Sequence, residues 1–481
     1  MAEDILIQDA TSQLAALQSK RISSEELLKL ALGRHEKLHK RLNAVINVDL
    51  SHALERARSI DDTRVKNGHL GPLAGLPMTI KDTLDVAGMP ASAGLDSFRH
   101  RVCEDASAVS GARRAGAVIW GKTNVPVMAG DWQSFNDLYG TTNNPWDAER
   151  TSGGSSGGAA AALAVGITPL EIGSDIGGSL RVPAHFCGVF SHKPTWGLVS
   201  QIGHVPPRPG AHAERDLTVI GPMARSARDL RLLLSLIANG PVAAKAPAAD
   251  LSKTRIAVWI EADGFPLDGE IRTVLEAFVT QLAEAGVEIE LISSPVPTDQ
   301  LMGAYQVLLG SIIGSDMPDA QRRQMQSMRG VSKLAVTLGA DERSSIAQVR
   351  AYTATHAEWL EADEVRCRLR DSLKAVFSKF DVILAPVSPV VAFQHNQRAF
   401  SSRKLVCSNG MNLPYAAMLD WIALATACHL PVTTIPAGHA MSGLPVGVQL
   451  IGPRGGDAKT LAVAQSIDEN IRGFVGPAID F

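Results

Sequence analysis

Three stretches of this chain hold residue types and spacings that can do nucleophilic chemistry. The first is "TSGGSSGG" (151–158), where Gly153-Gly154-Ser155-Ser156-Gly157 fits the G-x-S-x-G pattern of a nucleophile elbow. The second is "GSDIGGSLRVP" (173–183), with Ser179 behind Gly177-Gly178. Pro183 is tolerated in a first helical turn and Gly188 suits a helix C-terminus, so the pattern predicts a short helix that begins just after Ser179. Free N–H groups and the positive dipole end gather at such a terminus, which suits a developing oxyanion. A serine nucleophile needs a base. His185, His192 and Lys81 all qualify by type. Lys81 ends the apolar run of "GLPMTIKD", and a lysine at the end of a buried strand loses solvation, which favours its neutral form.

Other chemistries are weaker. A flexible linker is expected between polar flanks, but "TSGGSSGG" runs directly into Ala159–Val165, a small-residue helix. A phosphate loop needs Lys after its last glycine, and Ala159 stands there. "HEKLH" (35–39) matches the zinc motif H-E-x-x-H, which leaves a metalloprotease as a remote alternative. His35, however, continues the apolar stripe of Leu28, Ala31, Leu38 and Leu42, and no third ligand is signalled. His185 or His192 with an aspartate would make a Ser–His–Asp arrangement.

These loops need a frame of strands and helices. The chain has 481 residues, 45% hydrophobic and 20% charged, which is ordinary for a globular protein. Net charge is −3, so no basic field draws nucleic acid or an anionic membrane. No stretch reaches the ~18 apolar residues of a membrane span. The start lacks the pattern of a signal peptide, and five scattered cysteines without CxxC fit a reducing compartment, so a cytosolic location is expected. The spacing predicts helix over residues 8–45, opened at Ser23 by a capping box with Glu26. It predicts helix over 105–115, a strand over Val118–Trp120 ended by Gly121, and alternating strand and helix over 255–292. Residues 301–380 read as mainly helical, with a long run from Ser345, and further strands are expected at 382–384, 432–435 and 446–451. Pro241–Pro247 is the best linker candidate, yet strands fall on both sides of it. One α/β body over 1–481 is therefore expected.

The segments "GPLAGLPMTIKDTLDVAGMPASAG" (71–94), "GAVIWGKTNVP" (116–126), "GTTNNPWDAERTSGGSSGGAAAALA" (140–164) and "LEIGSDIGGSLRVPAHFCGVFSHKPTWGLVS" (170–200) resemble the amidase signature family, as does "LPVTTIPAGHAMSGLPVGVQLIGP" (430–453). The likeness covers most of residues 1–235 and 381–470, with a signature core at about 70–235, and is weak over about 241–380. The resemblance implies a large mixed β-sheet covered by helices, and hydrolysis of a carboxylic amide to acid plus ammonia or amine without metal or cofactor. Aryl amides, anilides, esters and carbamates stay open as substrates. It implies a Ser–cis-Ser–Lys triad: Ser179 as nucleophile, Ser155 as bridge and Lys81 as base. Ser155 would then relay a proton, and its G-x-S-x-G match is coincidental. The N–H groups of Ile176, Gly177, Gly178 and Ser179 would hold the oxyanion. Asp175 and Arg181 would support the loop, and Ser156 would hydrogen-bond Lys81 or the loop. Trp132, with Met128, would line the substrate pocket, and residues 295–380, with Met302, Met317, Met325 and Met328, would form a lid. A homodimer is compatible. The alternative within the family is a glutaminase like the A subunit of glutamyl-tRNA(Gln) amidotransferase. Ile176 and Val182 stand where those proteins carry Thr and Gln, and "GDWQSFN" departs from their pattern.

Overall fold

Strands drawn from both ends of the chain line up in one mixed sheet of eleven. The computed structural model describes residues 4–339 and 344–478. From edge to edge the strands are Val45–Val48, Val118–Thr123, Pro77–Lys81, Leu170–Asp175, Val219–Ala224, Phe190–Lys193, Val432–His439, Pro445–Ile451, Val382–Pro386, Arg255–Val258 and Glu288–Leu291. Pro77–Lys81 lies parallel to both of its neighbours, whereas Leu170–Asp175 and Val219–Ala224 are antiparallel. Central strands are buried along their whole length, because helices cover both faces. This is why they read as continuous apolar runs.

Local signals hold where the physics is local. Ser23 and Glu26 form the expected capping box on the helix Ser24–Leu42. The helix does not run unbroken over 8–45: it stops after Gln18, and Asn43 closes the second helix with φ 48° before Val45 enters the sheet. Gly121 does not end its strand. It sits inside Val118–Thr123, where a Cβ would lie 2.9 Å from Val45 Cγ1, so glycine lets the edge strand come close. The run from Ser345 also divides, into Ser345–Tyr352 and His356–Phe377, the second opened by a Thr355–Glu358 capping box. Among the described residues no helix is long and apolar enough to cross a membrane.

The helices Thr298–Asp316 and His356–Phe377 share a second apolar cluster with Trp259 and Trp421. Met302 is buried there, while Met328, on the helix Asp319–Thr337, is exposed. Through Tyr305 this region reaches the sheet: its hydroxyl donates to the Ile176 carbonyl at 3.1 Å.

Candidate active site

Lys81 ends its strand with its whole side chain buried. Nζ lies 2.7 Å from Ser155 Oγ, 2.9 Å from Ser174 Oγ and 3.4 Å from the Ser174 carbonyl. Burial pushes its pKa from 10.5 down to about 7, against the opposing pull of Asp175 and Glu171. The amine is therefore largely uncharged just above neutrality. Burial alone does not make a base. Lys193 is also pushed to about 7 by burial, yet it donates to two carbonyls, Pro194 O and Leu430 O, and has no hydroxyl to deprotonate. Lys122 lies in a buried pair with Asp82.

The loop around Ser155 is a packed element. Ser155 is 1% exposed. A Cβ on Gly154 would fall 2.3 Å from the Asp131 carbonyl oxygen and 2.7 Å from Gln133 N, so only glycine fits. The Gly154–Ser155 peptide bond is cis. Ser156 does not hydrogen-bond Lys81, as one of its two expected roles required. Its backbone N–H donates to Ser179 O at 3.2 Å and its hydroxyl points at Ser174 O at 3.5 Å. It ties the two serine loops together through the backbone.

Ser179 follows the strand Leu170–Asp175 and precedes the helix Arg181–Cys187, which Gly188 closes at φ 72°. It is 5% exposed, and its Oγ makes no hydrogen bond with any described residue. The Ser155 and Ser179 hydroxyls are thus not bonded to each other here.

Asp175 organises the turn. It accepts N–H bonds from Gly178 and Leu180, both at 3.0 Å, and a two-armed bond from Arg181 at 2.9 and 3.1 Å. Though burial opposes it, the Arg181 guanidinium holds the Asp175 carboxyl down at about 2. One of the expected oxyanion donors is corrected by this arrangement. Gly178, at φ 90°, turns its N–H into Asp175 and away from the space before Ser179. The N–H groups of Ile176, Gly177 and Ser179 donate to no described residue.

Arg181 also bonds Ile422 O, Gln449 Oε1 and Thr426 Oγ1, pinning the loop to the C-terminal half of the sheet. All its fork positions are used, which a lysine cannot reproduce. Arg181→Met leaves Asp175 buried and unpaired, and a loss of about 3–5 kcal/mol in stability by urea denaturation is expected. A loss under ~1 kcal/mol would contradict this role.

Trp132 lies beside this turn: Nε1 donates to Gly177 O at 2.7 Å, and its ring packs on Phe400 and Tyr415. Met128 sits in the short turn Val127–Ala129 with φ 52°, its N–H on Ala93 O, and no hydrogen bond brings it to the nucleophile loop. Neither histidine serves Ser179. His185 accepts from Gly447 N and lies 3.3 Å from Val390 O, while His192 bonds Thr433 and Asp457. His35 and His39 do share a face, with rings 5.0 Å apart, but His35 packs on Trp120. Among the described residues no group of three metal-ligating side chains forms there or elsewhere. Two surface clefts, one at Asp9, Arg225 and Asp468, the other at Asp49, His52 and Arg113, hold none of the residues around Lys81.

Three contributors escape the sequence patterns: Ser174 on Lys81, Tyr305 on Ile176 O, and His204, whose Nε2 lies 2.9 Å from Ser174 Oγ. Ser174 was visible only as part of "GSD". His204 and Tyr305 carry no local signal, because each acts across the fold.

With this geometry in place, comparison with known proteins is informative. A family model described as Amidase matches residues 26–461. The chain is 33% identical over 464 residues to the A subunit of glutamyl-tRNA(Gln) amidotransferase from Cyanothece sp., covering 91% of this chain and 92% of the relative. It is 32% identical to the corresponding protein of Deinococcus radiodurans, over 96% and 97% of the two chains. Among solved structures, one reported as an amidase superposes with TM-score 0.77 at 26% identity, covering 96% of this chain and 99% of that one. A bacterial aryl acylamidase of the amidase signature family shares the fold with TM-score 0.79 at 22% identity, over 97% and 96% of the chains. The chain belongs to the amidase (amidase signature) family of enzymes acting on amide C–N bonds.

Proposed function

We propose that the chain hydrolyses a carboxylic amide through an acyl-enzyme on Ser179, with Ser155 as proton bridge and Lys81 as base. The observation that carries this reading is the 2.7 Å bond between Lys81 Nζ and Ser155 Oγ in a site where Lys81 is fully buried. Neutral Lys81 takes the Ser155 hydroxyl proton while Ser155 Oγ takes that of Ser179. Ser179 Oγ bonds the carbonyl carbon, and the carbonyl electron pair moves to oxygen, facing the N–H groups of Ile176, Gly177 and Ser179. One such donor is worth ~2.7–4 kcal/mol. Collapse breaks the C–N bond. The leaving nitrogen takes a proton back from Ser155, which Lys81 re-protonates. Water then cleaves the acyl ester by the same relay and releases the acid.

Two substrate readings share this chemistry. Identity of 32–33% across nine-tenths or more of each chain supports glutamine hydrolysis that feeds ammonia to partner chains, a reading drawn from the amidotransferase names of the relatives. On sequence similarity this reading has the stronger support. Local features support a small-molecule amidase working alone. The groups packed at the nucleophile turn are Trp132, Tyr305, Leu419 and Ile422, mostly apolar. The charges beside this turn are already paired, Asp175 with Arg181 at 2.9 Å and Asp131 with Arg403, with Tyr415 on Asp131 at 2.7 Å. An amino-acid substrate brings two charges that need partners of their own. The Tyr305 contact also supports residues 295–380 as part of the substrate pocket. A panel of glutamine, aliphatic amides, aryl amides and anilides, read by released ammonia or amine, separates the readings. Turnover of aryl amides or anilides by the chain alone favours the second. Turnover of glutamine only, accelerated by the partner chains of the relatives' amidotransferase, favours the first. No turnover of any amide contradicts both.

A further inference from the structure

His204 lies in the tract "GHVPP" (203–207), beyond every motif that identified the site. Its backbone is held firmly: Val205 N donates to Thr83 O and Asp85 N donates to Gly203 O, both at 2.8 Å. Gly203 has φ 86°, and a Cβ there would lie 2.5 Å from Ala106 Cα. The ring is placed by two contacts, Nδ1 to Pro206 O at 2.7 Å and Nε2 to Ser174 Oγ at 2.9 Å.

These contacts fix the direction of every hydrogen bond back to Lys81. A carbonyl oxygen only accepts, so Nδ1 carries the proton. In a neutral ring Nε2 then has a lone pair and must accept. Burial, followed by the neighbouring Lys81, pushes the His204 pKa down to about 3, so the ring is neutral at working pH. Ser174 therefore gives its one O–H to His204, and towards Lys81 it offers only lone pairs. Lys81, when uncharged, has two N–H bonds and one lone pair. One N–H goes to Ser174 Oγ at 2.9 Å, and the Ser174 carbonyl lies 3.4 Å away. The lone pair is left for the Ser155 hydroxyl at 2.7 Å.

We propose that His204, acting through Ser174, is a positioning residue that forces the Ser174 hydroxyl away from Lys81 and so keeps the Lys81 lone pair aimed at Ser155. This deepens the proposed function and rests on it. Without the Nε2 acceptor, Ser174 can rotate its O–H onto the Lys81 lone pair. That blocks the base and also stabilises its neutral form. The efficiency of the relay then falls while the Lys81 titration moves to lower pH. Asp175 and Glu171 are the charged groups that bear on Lys81, and Lys81 and Arg215 those that bear on His204. None of them is altered by the variants below.

The test uses a fluorophosphonate as probe and reads its labelling rate at Ser179, by peptide mass, from pH 5 to 9. An Asn side chain at this position reaches only the Nδ1 site and keeps the bond to Pro206 O. Gln extends an acceptor to the Nε2 site. His204→Asn is expected to lower the plateau rate roughly 10-fold or more and to move the midpoint below that of the intact chain. His204→Gln is expected to stay within about 3-fold with an unmoved midpoint. Ser174→Ala removes the acceptor for Lys81, and adding His204→Asn to it is expected to cost nothing further, because the two act in series. Labelling by His204→Asn at the full rate with an unmoved midpoint overturns the proposal. So does an equal fall in the Asn and Gln variants without a shift of midpoint, which is the signature of a merely structural role. An intact chain that never labels at Ser179 overturns the proposed function and this inference with it. An intact chain that labels at Ser179 beside indifferent His204 variants overturns the inference alone.

Discussion

Ser179→Ala is expected to lower kcat on the accepted amide by on the order of 10⁴-fold or more. The fold should barely notice. Ser179 Oγ makes no hydrogen bond with a described residue, so removing it leaves no buried partner unsatisfied. The stability change by urea denaturation should stay within about 0.5 kcal/mol. Such a separation marks a hydroxyl that serves chemistry and not structure. Ser155 is different, since its Oγ is bonded to Lys81. Ser155→Ala should also lose most of kcat, and the double variant should be no slower than Ser179→Ala, because residues that act as one unit do not add. Released ammonia or amine is the readout. A Ser179→Ala chain with more than about 1% of the original kcat would contradict the acyl-enzyme.

Lys81→Met should change activity and stability in opposite directions. Activity needs the uncharged amine, so kcat/KM of the intact chain should rise with pH through about 7 and then level off. The variant should fall by on the order of 10³-fold or more at pH 8 and lose that rising limb. For stability, the pKa in the folded chain is about 7, below the ordinary 10.5. Between those values the unfolded chain binds a proton that the folded chain does not, and below about 7 folding bears the full cost of a buried charge or its neutralisation. Met fills similar volume without that cost. The variant should therefore be more stable at pH 6 by a few kcal/mol, roughly, and the gain should shrink as pH rises towards 10. A Met variant that unfolds more easily at pH 6 would show that Lys81 is held as a favourable cation.

The site was legible in the sequence where the controlling contacts are close along the chain. "GGSLRVP" through Gly188 predicts a turn and a helix, and both are present. "GLPMTIKD" predicts a buried strand with Lys81 at its end, and burial indeed governs that amine. The glycines of "GGSSGG" read as more than a linker, and Gly154 is hemmed in by the backbone of 131–133. What stayed hidden depends on residues brought from elsewhere. Tyr305 reaches Ile176 across 129 positions and His204 reaches Ser174 across 30. The fate of the Gly178 N–H turns on where the Asp175 carboxylate points. Gly121 reads as a strand end by its own propensity, yet the neighbouring strand Val45–Val48 needs that gap. In each case tertiary packing overrides a local preference, and one chain's residue pattern does not record which distant partner will arrive.

The most direct test is the titration of the Lys81 side chain itself. Protein labelled with 13C at lysine Cε can be followed by NMR from pH 5 to 11, with the Lys81→Met variant identifying the resonance and separating it from Lys193. A midpoint near 7 is the result expected here. A midpoint at or above 10 would mean that Lys81 is a cation at working pH, and the proton path from Ser179 through Ser155 would have no acceptor.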